Sequence, residues 1–87
     1  MPYELRLVAY ADDTPRTRQR IRIAIEESGG LVESVSSDRT FPGTVELTFA
    51  VRIGEQRLLH GVVNAVERLP RVAVMRVTEP RALENIP

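Results

Sequence analysis

TVELTFAVRIGEQRLLHGVVNAVERLP, residues 44–70, changes its hydrophobic period halfway, and that change decides the fold. In residues 44–53, Val45, Leu47, Phe49, Val51 and Ile53 alternate with Thr44, Glu46, Thr48, Ala50 and Arg52. Such alternation belongs to a strand with one face buried. From Gly54 the apolar residues fall three and four apart. Leu58, Leu59, Val62, Val63, Val66 and Leu69 share one arc, with Arg57, His60, Asn64, Glu67 and Arg68 on the rest. This spacing predicts an amphipathic helix over 54–69, ended by Pro70. A strand feeding a helix points to a mixed fold with one core.

Working towards the N-terminus, Phe41-Pro42-Gly43-Thr44 places Pro and Gly at the centre of a type II turn and predicts a hairpin. The strand before it, over 31–38, is weaker, because serines at 34, 36 and 37 leave one side polar and suit a sheet edge. Gly29-Gly30 stops a helix over 15–28 whose core stripe is Thr17, Ile21, Ala24, Ile25 and Ser28. Thr14 or Asp13 is its N-cap, and Pro15 takes its first position. Residues 18–23 also alternate with period two, but the caps favour the helix. Ile23 falls off the stripe and is expected to contact a second chain. Residues 3–11 form a first strand, with Tyr3, Leu5, Leu7 and Ala9 opposite Glu4, Arg6, Val8 and Tyr10.

Beyond Pro70, residues 71–78 are rich in Val and read as a last strand. The order is therefore β-α-β-β-α-β. With right-handed crossovers it builds an α+β, ferredoxin-like domain: a four-stranded antiparallel sheet with two helices on one face. The domain spans residues 1–78, and 79–87 are expected to be a loosely held tail. The other sheet face would carry a polar, mixed-charge surface of Glu4, Arg6, Val8, Tyr10, Thr44, Glu46, Thr48, Ala50 and Arg52.

Composition narrows the function. The 87 residues suffice for one domain. Twelve basic and twelve acidic residues give no net charge, so no long-range field draws nucleic acid or anionic lipid. All the basic residues are Arg, which reads as the imprint of a GC-rich genome. The absence of cysteine excludes disulfides, thiol catalysis and Cys-ligated metals. No apolar run approaches the roughly 18 residues a membrane span needs, and Glu4 and Arg6 interrupt any signal-like start. The expectation is a cytoplasmic domain with no cofactor, no nucleic-acid partner and no membrane insertion by this segment.

The chain resembles ACT domains, small regulatory modules of enzymes and transporters. Residues 3–78 carry the resemblance, through the order of elements and two segments. IEESGGLVESVSS (25–37) is similar to the family's helix end, Gly pair and second strand, and VVNAVERLPRVAVMRV (62–77) to its second helix and "LPGV" strand entry. The segment YELRLVAYADDTPR (3–16) is also similar to the C-terminal domains of bacterial MgtC/SapB-type membrane proteins. ACT modules of stringent-response synthetases share the pattern. The resemblance implies a regulatory domain that forms side-by-side homodimers and holds a small ligand, often an amino acid, at their interface. Its ligand-binding residues here would be Asp12, Asp13, Thr14 and Pro15 after the first strand, with Gly29, Gly30, Leu31 and Val32 at the second. The first loop lacks the glycine of the family's D-x-P-G stretch.

Read without the resemblance, Asp12 and Asp13 suit an amino group or a divalent cation, but carboxylates ahead of a helix are more often used as caps that favour its dipole. His60, the single histidine, lies on the outward arc of its helix and lacks the orienting partners that nucleophilic catalysis needs. Acidic residues after the first strand disfavour phosphate there. RNA would need aromatic residues on the open face, yet Phe49 points to the core. Arg16, Arg18, Arg20 and Arg22 spread around a helix as a solvated surface, with Arg22 and Glu26 as its ion pair. The expected function is a regulatory, non-catalytic module. The alternative is a purely structural protein–protein interaction domain of a larger membrane or regulatory protein.

Overall fold

Alternation and capping produce the elements where the local signal is strongest. The computed structural model describes residues 2–83. Strand β1 (Tyr3–Asp12) leads into helix α1 (Pro15–Glu27). The hydroxyl of Thr14 caps that helix by accepting from the amide of Thr17 at 3.1 Å. Strand β2 (Gly30–Phe41) turns at Pro42-Gly43 into strand β3 (Thr44–Ile53). A short 3₁₀ turn (Gln56–Leu58) runs into helix α2 (Leu59–Glu67), and strand β4 (Val72–Val77) follows.

The sheet is antiparallel with strand order β2-β3-β1-β4, consistent with the ferredoxin-like arrangement expected from the element order. Leu5, Leu7, Ala9 and Ala11 of β1 join Val45, Leu47, Phe49, Val51 and Ile53 of β3 in one buried cluster. That cluster also holds Ile21 and Ile25 of α1 and Val62 and Val66 of α2. Both helices therefore cover the same sheet face. Removing a Val, Leu, Ile or Phe side chain from water contributes about 1.5–3 kcal/mol, so this layer is the main source of stability. Among the described residues every buried side chain is apolar.

Four expectations change. The weak strand is the longest in the sheet, twelve residues, because pairing along β3 outweighs the low propensity of its serines. The helix predicted over 54–69 begins with the 3₁₀ turn. Glu55 stays extended (φ −140°, ψ 142°) and gives no side-chain cap, so regular α-helix starts only at Leu59. On the open face, Val8 and Ala50 are 5% and 8% exposed, shielded in the register by Thr48 and Arg76, and by Ser34 and Arg6. Finally, the tail returns to the sheet: β5 (Arg81–Ala82) pairs with Tyr3 and Glu4, and the Leu83 amide donates to the Pro2 carbonyl at 2.9 Å. Residues 84–87 of the expected tail lie outside the described residues.

Both outer strands are irregular. Strand β2 shifts register between Val32 and Ser34 and between Arg39 and Phe41, and β4 shifts at Met75. Bulges of this kind twist an edge and limit how much of it another strand can match. Among the described residues no helix is long and apolar enough to cross a membrane.

Candidate functional site

The eight residues proposed as ligand-binding do not converge within one chain. Asp12 pairs with Thr44 at one end of the sheet, whereas Gly30 pairs with Ile53, itself opposite Tyr3, at the other. Nine residue-to-residue steps along β1, from Tyr3 to Asp12, separate these levels, about 30 Å at about 3.3 Å per step. Asp12, Asp13, Thr14 and Pro15 are one candidate half-site, and Gly29, Gly30, Leu31 and Val32 another.

The first half-site is ordered by ion pairs and turn bonds. Asp13 Oδ2 lies 2.8 Å from Arg39 Nε of β2 in an ion pair, and the Asp13 amide donates to the Gly43 carbonyl at 3.1 Å. Asp12 lies 3.5 Å from Arg71 Nη1. The Thr14 amide donates to the Asp12 carbonyl at 2.9 Å. Capping by Asp13 is thus corrected: Thr14 caps the helix, and both carboxylates face arginines from elsewhere in the chain. Pro15 fills the first helical turn, as the sequence predicts. A shallow recess lies beside Asp13, lined also by Arg39, Phe41, Pro42 and Gly43.

In the second candidate half-site Gly29 supplies the left-handed backbone (φ 102°) that ends α1, and Gly30 serves packing. A Cβ on Gly30 would lie 2.7 Å from Ile25 Cγ2 and 3.0 Å from Val51 Cγ1, so the end of α1 closes on β2 only because this residue has no side chain. Gly30→Ala is expected to cost about 1–3 kcal/mol by overpacking, measured by urea unfolding. A cost near zero would show that the helix does not close on the strand there. Val32 is buried in the core, and Leu31 is 53% exposed on the open face opposite Arg52.

Arg71 is a candidate that the sequence pattern does not single out. Its φ of 62° is in the left-handed region, the one such non-glycine among the described residues. A side chain there costs about 1–2 kcal/mol relative to an ordinary backbone conformation. Arg71 occupies the third position of Leu69-Pro70-Arg71-Val72, where the resembled "LPGV" pattern has glycine, and that mismatch was the available signal. The exposed pair with Asp12 returns little stability. Arg71→Gly is therefore expected to unfold at the same or higher urea concentration than the parent, and Arg71→Ala at a lower one than Arg71→Gly. Equal midpoints for the two variants would mean the conformation carries no strain. Tyr10 and Thr44, which the sequence places on the open sheet face without assigning them a site, line with Asp12 and Arg71 a groove of about 360 Å³ that Ala11, Val72 and Ala73 complete.

His60 is exposed on α2, and the four arginines of α1 face solvent. Arg22 and Glu26 lie 3.8 Å apart, the ion pair read from the sequence. Ile23 is 44% exposed, beside a surface depression formed with Arg20, Ala24, Glu27, Leu69 and Pro70.

The fold and half-sites define a small α+β domain with a helix-covered sheet and no internal cleft joining its predicted ligand residues. No protein-family model and no curated protein sequence matches the chain. Among solved structures, it is similar to the C-terminal domain of the MgtC protein from Mycobacterium tuberculosis. The TM-score is 0.53 at 17% identity, over 88% of this chain and 82% of that one. It is also similar to part of the full extracellular region of zebrafish Gpr126/Adgrg6, with TM-score 0.65 and 15% identity over 97% of this chain. The chain spans only 14% of that extracellular region. At these identities the likeness is one of fold, and it gives the MgtC-type resemblance read from the sequence a structural counterpart.

Proposed function

We propose that the chain is a non-catalytic regulatory domain of a larger protein, ACT-like in assembly. Two copies pair side by side through their β2 edges, and a small ligand, an amino acid, binds where the loop after β1 of one copy meets the start of β2 of the other. The observation that carries this reading is the free edge of β2. Among the described residues it pairs only with β3, and Leu31, Val35 and Phe41 along it are 53%, 38% and 64% exposed. Antiparallel pairing of two such edges brings the Gly30 end of one strand beside the Phe41 end of the other. The half-sites that lie about 30 Å apart in one chain then become neighbours across the seam. Strand addition of this kind supplies main-chain hydrogen bonds without a deep pocket. The uniformly apolar interior and exposed His60 support a role without acid–base catalysis.

The test is a thermal-shift screen with free amino acids, run beside light scattering. A ligand at about 100 times its Kd adds about 2.7 kcal/mol. In a domain of this size that raises Tm by about 10 °C or more. A dimer with a specific ligand is the expected result, and a monomer indifferent to every amino acid would refute it. The second reading, a structural interaction domain, is favoured by the internal use of Gly30 and Asp13. It predicts a dimer whose Tm no small molecule moves.

A further inference from the structure

We propose that the groove between the end of β1 and the start of β4 is a binding site for a zwitterionic small molecule, one carrying a carboxylate and an ammonium group on neighbouring atoms. The groove lies on the β4 side of β1 and is complete within one chain; it shares with the proposed function Asp12 and the premise of a small ligand, and Arg71 belongs to the groove alone.

Its wall holds one carboxylate and one guanidinium, Asp12 and Arg71, 3.5 Å apart at Oδ2 and Nη1. At that separation the two make a loose ion pair, with Arg71 82% and Asp12 44% exposed. An Arg–carboxylate pair at full strength is shorter, near 2.8 Å, and often bidentate. Each group can therefore exchange its contact with the other for a stronger one to a ligand. A ligand carboxylate fits the planar fork of Arg71, and its ammonium fits Asp12. Thr44, level with Asp12 in the β1–β3 register, adds a hydroxyl, and Tyr10 an aromatic wall for an apolar side chain. A phosphate-rich ligand would meet repulsion from Asp12. A divalent cation would find a single carboxylate where it needs several oxygens. The charge pattern selects a molecule of both signs.

The backbone points the same way. Arg71 holds φ 62°, a conformation that glycine adopts freely, so the fold keeps arginine there against its own preference. Strained residues of this sort cluster at functional sites, and the guanidinium is what glycine would lack.

The experiment is an amide NMR titration of the chain with each of the protein-forming amino acids, with acetate and methylamine as single-charge controls. Saturable shifts are expected at Tyr10, Ala11, Asp12, Thr44, Val72 and Ala73 for one or more amino acids and for neither control. Arg71→Gly and Asp12→Asn should each weaken binding about tenfold or more, as loss of a charge-assisted hydrogen bond implies. Because Arg71→Gly relieves strain, weaker binding in it is not a folding defect, and retained chemical-shift dispersion confirms this. Groove shifts should persist in a variant whose β2 pairing is blocked by Ser36→Lys. The inference is overturned if no amino acid shifts these residues, if acetate matches the amino acids, or if Arg71→Gly binds as the parent does. Shifts that vanish with Ser36→Lys would place the ligand at the β2 seam, overturning the groove while leaving the proposed function intact.

Discussion

Phe49→Ala should lower the unfolding free energy by about 3–5 kcal/mol, a large part of the roughly 5–15 kcal/mol of an ordinary domain. Phe49 is fully buried at the centre of β3, level with Leu7 on β1 and Val35 on β2, and belongs to the cluster that both helices cover. No single rotamer change can fill the space its ring leaves, so a cavity penalty adds to the lost transfer energy. Urea unfolding measures the effect. Ile23→Ala, at a site 44% exposed on the outer side of α1, serves as the comparison and should change stability by no more than about 0.5 kcal/mol. Similar costs at the two sites would show that the helices do not cover this sheet face.

The second large effect concerns assembly. Ser36 lies near the middle of β2, opposite Thr48 on the open face and between the two register shifts that bound the regular part of the edge. In an antiparallel pair of β2 strands this position is close to the two-fold axis, so one Ser36→Lys substitution sets two like charges nearly face to face. Natural sheets use lysine at exposed edges to prevent such pairing. The variant should run as a monomer in light scattering at concentrations where the parent is a dimer. Ser36 is exposed, so the fold itself should lose no more than about 0.5 kcal/mol. A dimer unaffected by the lysine would remove the β2 edge from the assembly.

What could be read from the sequence follows from how local each cause is. The limits of β3 and the Thr14 cap depend on neighbours a few residues away, and both are legible in the string. The length of β2 is set by β3 across the hairpin, against the preference of its own serines, so local propensity underestimates it. Pairing of Arg81 and Ala82 with Glu4 and Tyr3 joins the two ends of the chain, and no periodicity announces it. Burial of Val8 and Ala50 likewise depends on flanking strands rather than on their own alternation.

The candidate site was legible in its members more than in its arrangement. Asp12 and Asp13 stood out as charges after a strand, but their partners Arg71 and Arg39 come from distant elements. Separation of the half-sites to opposite ends of the sheet appears only once the register is known. Gly30 carries a constraint that no local pattern announces: the approach of Ile25 and Val51 leaves no room for a side chain there.

Amide hydrogen exchange along β2 tests the pairing most directly, because the outward N–H groups of an edge strand have no partner within the chain. The account predicts slow exchange for those amides within Ser34–Arg39 in the parent and fast exchange in Ser36→Lys, with β1 and β3 protected in both. Fast exchange of the same amides in the parent, at concentrations well above those of the assembly measurement, would contradict it.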